Sequence, residues 1–260
     1  MLMRYRLLDT LRGFSLVSMI LYHTCWDLVY MYGFEWPWFV KTEGYLWQQS
    51  ICWMFICISG FCMGLKRDER TLSSACKRGL VVMVSGILVT AATLIFAPEA
   101  KIIFGVLFFL GFSIMLTAWL QPLLKKIPEK AGLLSSTILL IIFRNINDRS
   151  LGFENFIICR LPDFLYEYGL LGSFLGLQDK NFSSVDYFSF FPWYFLFIKG
   201  YFICLNILRR REKKGLAGLP NVFNKGIPVL ETLGRHSLLV YLLHQPLILL
   251  FFSLTMKTMP

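Results

Sequence analysis

The chain has 260 residues, 56% hydrophobic and 16% charged, with a mean hydropathy of +0.59. Soluble domains carry about 25% charged residues, so one soluble core is excluded and a lipid-facing surface fits. The net charge of +10 would suit nucleic acid, but the basic residues fall in short loops between apolar runs and no nucleic-acid module is present.

Open sheet edges do not occur in lipid, so the spans are helices. Each needs about 20 apolar residues. Runs at 10–31, 45–65, 79–97, 102–123, 131–146, 187–208 and 229–253 predict an all-α polytopic membrane protein. It is a bundle of about seven transmembrane helices in a single domain, 1–260. The fifth run is short and ends at Arg144. The first run leads into more spans, so no cleavable signal peptide is expected. Cys25, Cys52, Cys57, Cys62, Cys76, Cys159 and Cys204 contain no CxxC pair. They read as small hydrophobes, neither a disulfide framework nor a metal site.

With the N-terminus inside, eighteen Lys and Arg fall on the inner side and seven on the outer, with Lys199 inside a span. That imbalance sets the orientation, with the C-terminus outside. Two outer segments stand out. Residues 32–44, YGFEWPWFVKTEG, are rich in aromatics. Residues 147–186 are too aromatic for disorder and predict a structured cap, within which 161–177 is a re-entrant or interfacial segment.

Ionisable residues inside spans are costly and mark candidate sites. The first span, LLDTLRGFSLVSMILYHTCWDLVY, holds Asp9, Arg12, His23 and Asp27. His23 follows Arg12 by eleven residues, so the two share a helix face within about 20° and lie about 16 Å apart along the axis. Asp27 follows His23 at i+4, where pairing with the imidazole is expected. In the last span Ser237, Tyr241 and His244 make a polar stripe bordered by Gln245, with Pro246 as a kink. Equal depth along the two helices brings His23 and His244 to one central cavity. Singly, Gln48, Gln49 and Ser237 read as helix-to-helix stitching, and Lys199 as a snorkelling or paired cation. Asp9 with Arg12 reads equally as a plain ion pair. The 209–214 run, RRREKK, is an orientation signal that contacts anionic lipid.

The run RYRLLDTLRGFSLVSMILYHTCWDLVY resembles the first span of the heparan-α-glucosaminide N-acetyltransferase catalytic-domain family and its small bacterial relatives. CWMFICISGFCMGL, FGVLFFLGFS, FFPWYFLFIKG and LGRHSLLVYLLHQP follow in the family's order over nearly the whole chain. The LRG with a His eleven residues beyond its Arg also resembles the first span of the wider transmembrane acyltransferase superfamily. The resemblance implies transfer of an acetyl group from cytosolic acetyl-CoA to a hydroxyl or amine of an extracytoplasmic sugar or glycan. It implies His23 as the catalytic histidine, and Arg12 as a donor-phosphate or structural contact. His236, His244 and Gln245 then line the donor or acceptor site. Many relatives carry a His where this chain has Phe108, and the large luminal domain of the lysosomal member is missing. Polybasic inner loops with no eukaryotic targeting signal expected, together with this resemblance, predict a bacterial cytoplasmic membrane.

On this basis His23, oriented by Asp27, is the general base or a transient acyl carrier. His244, Gln245 or Tyr241 stabilises the oxyanion. Arg12, Arg235, Lys66, Arg67 and Arg78 meet the donor phosphates. Expected partners are the acyl-CoA donor, the glycan acceptor, membrane lipids and a second copy of the chain, with no nucleic acid and no metal. The alternative is a small-molecule or proton-coupled transporter, for which intramembrane His, Asp and Lys serve equally well.

Overall fold

A computed structural model describes residues 4–65 and 69–255. The chain divides into two compact units, residues 1–58 with 218–260, and residues 59–217.

In the first unit α1 (Arg6–Tyr30) runs for 25 residues, about 37 Å at 1.5 Å per residue. The start of α2 (Thr42–Gly64) belongs to this unit, as do α8 (Pro228–Arg235) and α9 (Ser237–Thr255). Proline at the start of α8 supplies a preset φ where no N–H is needed. A Cβ on Gly13 would overlap the Leu230 carbonyl, and one on Gly234 the Asp9 carbonyl, so α1 and α8 touch backbone to backbone. The Ile227 N–H donates to Thr10 Oγ1 at 3.1 Å and the Leu219 N–H to the Tyr5 hydroxyl at 3.0 Å, which ties the chain entering α8 to the start of α1.

Leu16, Met19 and Ile51 form the buried core, wrapped by Tyr22, Trp47, Phe55, Val240 and Tyr241. Trp47 Nε1 donates to Ser18 Oγ at 2.7 Å, pinning α2 to α1. The aromatic segment after α1 folds over this end. Trp38 stacks on Trp36 and on Trp47, each pair with centroids 6.2 Å apart, and Phe39 is buried against Tyr22 at 5.0 Å.

The second unit holds the rest of α2, α3 (Glu69–Phe96), α4 (Val106–Leu124), α5 (Glu129–Phe143), α6 (Gly169–Leu175) and α7 (Phe190–Glu212). Glycines again set the contacts. Gly79 and Gly111 let α3 and α4 close on each other, and Gly132 of α5 lies against the Phe202 ring of α7. The Asp186 carboxylate accepts the Val106 N–H at 3.3 Å, using a free donor at the start of α4.

The 147–186 segment is folded, and part of it departs from the all-helical expectation. Strands β1 (Ser150–Phe153) and β2 (Phe156–Arg160) pair antiparallel with a bulge between Leu151 and Gly152. A 3-10 turn at Asp163–Tyr166 and α6 follow. The fully buried Tyr166 donates its hydroxyl to the Ile146 carbonyl at 2.5 Å.

Among the described residues five helical stretches are long and apolar enough to cross a membrane: Thr42–Gly64, Ser73–Phe96, Val106–Leu124, Phe190–Glu212 and Ser237–Thr255. The chain is accordingly a polytopic membrane protein. The two further spans expected from sequence correspond to α1, long enough but carrying Asp9, Arg12, His23 and Asp27, and α5. At 15 residues α5 is about 22 Å long, against a hydrocarbon core of about 30 Å. The expected 229–253 span is not continuous. It breaks at His236 (φ −101°, ψ 26°), and α8 holds the Glu231 carboxylate against Arg6 of α1 and its own Arg235. Among the described residues no disulfide forms; Cys62 and Cys204 are buried and Cys159 is exposed.

Candidate functional site

The site lies in the first unit, between α1 and α9. His23 and His244 meet with ring centroids 5.0 Å apart and planes 55° apart. The Tyr22 ring stands edge-on to His23 at 6.0 Å, and the Tyr241 ring lies 5.3 Å from His244. His244 is 8% exposed, and its Nδ1 bonds the Tyr241 carbonyl one turn back. Asp27, fully buried, holds both carboxylate oxygens against Gln245 Nε2, at 3.0 and 2.9 Å.

This corrects the expected pairing of Asp27 with His23. Among the described residues no hydrogen bond joins them. A buried carboxylate needs donors, and the Gln245 amide of the neighbouring helix supplies N–H groups where the i+4 neighbour does not. Sequence spacing pointed to the acid but not to its partner, which is 218 residues away in the chain. Two buried atoms beside it, His244 Nε2 and Gln245 Oε1, make no hydrogen bond within the described residues.

The arginines are found elsewhere on α1 and α8. Arg12 Nη1 lies 2.7 Å from Asp9 Oδ1, so the ion-pair alternative holds for this pair. Arg4 Nε reaches the other Asp9 oxygen, also at 2.7 Å. Arg235 pairs with Glu231 one helical turn away, while Arg6 Nε reaches the same carboxylate at 2.8 Å. Sequence reasoning passed over Glu231; its signal is the i, i+4 spacing to Arg235 on an amphipathic stretch. Hydrogen bonding from the Arg6 guanidinium, with Arg235 beside it, holds the Glu231 carboxyl below the usual carboxylate range despite its burial. His236 is exposed at the break between α8 and α9. Lys66, Arg67 and Lys257 lie outside the described residues.

In the second unit, Phe108 is packed into a cluster of rings with Phe104 at 5.5 Å and Phe174 at 6.0 Å. The position is therefore apolar here and built into the packing.

A polytopic membrane protein that brings a half-buried and a buried imidazole together with a buried carboxyl group between two helices carries a site suited to acid–base or group-transfer chemistry. The family model of the heparan-alpha-glucosaminide N-acetyltransferase catalytic domain matches residues 4–246. The chain belongs to that family, and acetyl transfer is the reaction class that membership suggests. No curated protein and no solved structure matches the chain.

Proposed function

We propose that the protein moves an acetyl group from cytosolic acetyl-CoA to a hydroxyl or amine of an extracytoplasmic sugar or glycan. The observation that carries this is the contact of His23 with His244 in a chain of an acetyltransferase family. Nucleophilic acyl transfer needs a group that takes a proton or holds the acyl intermediate, and imidazole does either.

In this reading α1 and α5 complete seven spans, the N-terminus is cytoplasmic and the membrane is that of a bacterial cell. The Lys and Arg bias supports the orientation. It sets the Arg4, Arg6, Arg12 and Arg235 end of α1 and α8 toward the cytosol. Guanidinium groups suit the donor's phosphates, and the exposed Arg235 side chain, 43% accessible, is available to them. The stacked Trp36, Trp38 and Trp47 indoles, anchored to Ser18 at the middle of α1, offer the flat apolar face that a sugar ring packs against. Asp27, Gln245 and Tyr241 complete the reacting centre around the two histidines.

The test uses full-length protein in liposomes supplied with acetyl-CoA, with and without glucosamine as probe acceptor, and follows free thiol. Thiol release by the wild type is expected to fall by roughly 10²- to 10⁴-fold in His23→Ala, the usual contribution of a positioned acid–base group. A His23→Ala protein with undiminished release ends the assignment. Passage of the probe across the bilayer without thiol release points to transport instead.

A further inference from the structure

The two unpartnered atoms at the site are of one kind, and that assigns their work. The His244 Nδ1 contact is to a carbonyl, which only accepts, so the ring proton is on Nδ1 and Nε2 carries a lone pair. The Asp27 carboxylate also only accepts, so the Gln245 amide must turn its nitrogen to Asp27, which leaves Oε1 on the other side. Both Nε2 of His244 and Oε1 of Gln245 are buried, and neither has a hydrogen-bond partner among the described residues. A developing oxyanion needs donors. Neither atom, as an acceptor, can stabilise it, and each instead suits an incoming O–H or N–H. The sequence-based assignment of His244 and Gln245 to oxyanion stabilisation therefore does not fit the geometry.

We propose that His244, through Nε2, takes the proton that leaves the acceptor substrate, while Gln245 Oε1 orients that donor group and Asp27 is a positioning residue that acts through Gln245. This rests on the acetyl-transfer reading above. The acceptor's oxygen or nitrogen attacks the thioester carbonyl, its bond to the acetyl carbon forms, and the carbon–sulfur bond breaks. The acceptor's proton passes to His244 Nε2 and from there to the departing thiolate, so one acetylated product and one free thiol result and nothing is oxidised or reduced. His23, whose described contacts are to the Tyr22 and His244 rings, is left on the acyl side of the transfer.

The chain has three histidines, so ¹⁵N-histidine labelling of the full-length protein in bilayers gives a spectrum that single substitutions assign. His244 is expected as the neutral tautomer protonated on Nδ1. In thiol-release assays with acetyl-CoA and glucosamine, Asp27→Asn is expected to lose at least tenfold in kcat/KM for glucosamine, because its amide donates to Gln245 Oε1 and turns the Gln245 amide round. The double variant Asp27→Asn with Gln245→Glu restores an amide–carboxylate pair and again leaves an acceptor oxygen facing the substrate. It is expected to regain most of that loss. A wild type that turns over with the His244 proton on Nε2, or a double variant no better than Asp27→Asn, overturns this inference alone. A wild type that releases no thiol overturns the acetyl-transfer reading, and the inference with it.

Discussion

Asp9 and Asp27 stand on the same helix, eighteen residues apart, which is five full turns and so the same face. They are also alike in burial, at 4% and 0% exposed. Their partners differ. Asp9 is met by two guanidinium groups, from Arg4 and Arg12, whereas Asp27 is met by one neutral amide. Beside Asp9 the glycines let α1 and α8 close backbone to backbone; beside Asp27 two buried acceptors have no partner among the described residues. A buried charge with opposite charges around it is compatible with a purely architectural role. A buried carboxyl group held only by an amide, next to unsatisfied acceptors, is the arrangement expected where a substrate completes the hydrogen bonding. One end of the helix is closed by its own residues, and the other is left open to chemistry.

The comparison breaks most readily at the closed end. Gly13→Val drives a branched side chain into the Leu230 carbonyl, where backbone, not a movable side chain, must give way. Overpacking of this kind costs about 1–3 kcal/mol, and the upper part of that range is expected. The check is thermal unfolding of the detergent-solubilised protein, and an unchanged midpoint would show that α1 and α8 do not touch there. Glu231→Gln acts on the same end through charge. Because the folded carboxyl sits below its ordinary value, the stability it contributes is present above about pH 4.3, the unperturbed glutamate value, and is lost as pH falls through the folded value. At neutral pH the variant is expected to unfold at a lower temperature than the wild type. The gap is expected to close as the solution is acidified, and a gap that is constant with pH contradicts the ion pairing.

How much of this was legible in the sequence follows the same division. The apolar runs marked the long helices, since period and length are local properties. The approach of His23 to His244 was also readable, because the two motifs place the rings at similar depths along two helices. The partner of Asp27 was not. Helix geometry offers His23 at i+4, but the choice between that ring and an amide 218 residues away is made by tertiary packing, which no local spacing encodes. The break at His236 was hidden for a related reason. The stretch is apolar enough to read as one span until Glu231 is seen to be held by Arg6, far off in the chain. In the LRG and LGRHS motifs the arginines and histidines carry the chemical signal. Their glycines, Gly13 and Gly234, turn out to set the α1–α8 contact.

Ser18 lies midway between the two acids and gives the smallest and most diagnostic change. Its hydroxyl accepts the Trp47 indole N–H at 2.7 Å, and Trp47 in turn stacks on Trp38. Ser18→Ala removes the acceptor and leaves the half-buried indole donor without it, a loss of about 1 kcal/mol for a neutral hydrogen bond. A modest fall in the unfolding midpoint is therefore expected, well short of that for Gly13→Val. Ser18 belongs to neither end, so thiol release from acetyl-CoA in the absence of an acceptor is expected to be unchanged. The Michaelis constant for glucosamine is a separate matter, since it rises if the indole stack receives the sugar and Trp47 anchors that stack. A variant that loses stability with no change in that constant keeps the closed and open ends of α1 as described, but takes the tryptophans out of acceptor binding and makes them packing alone.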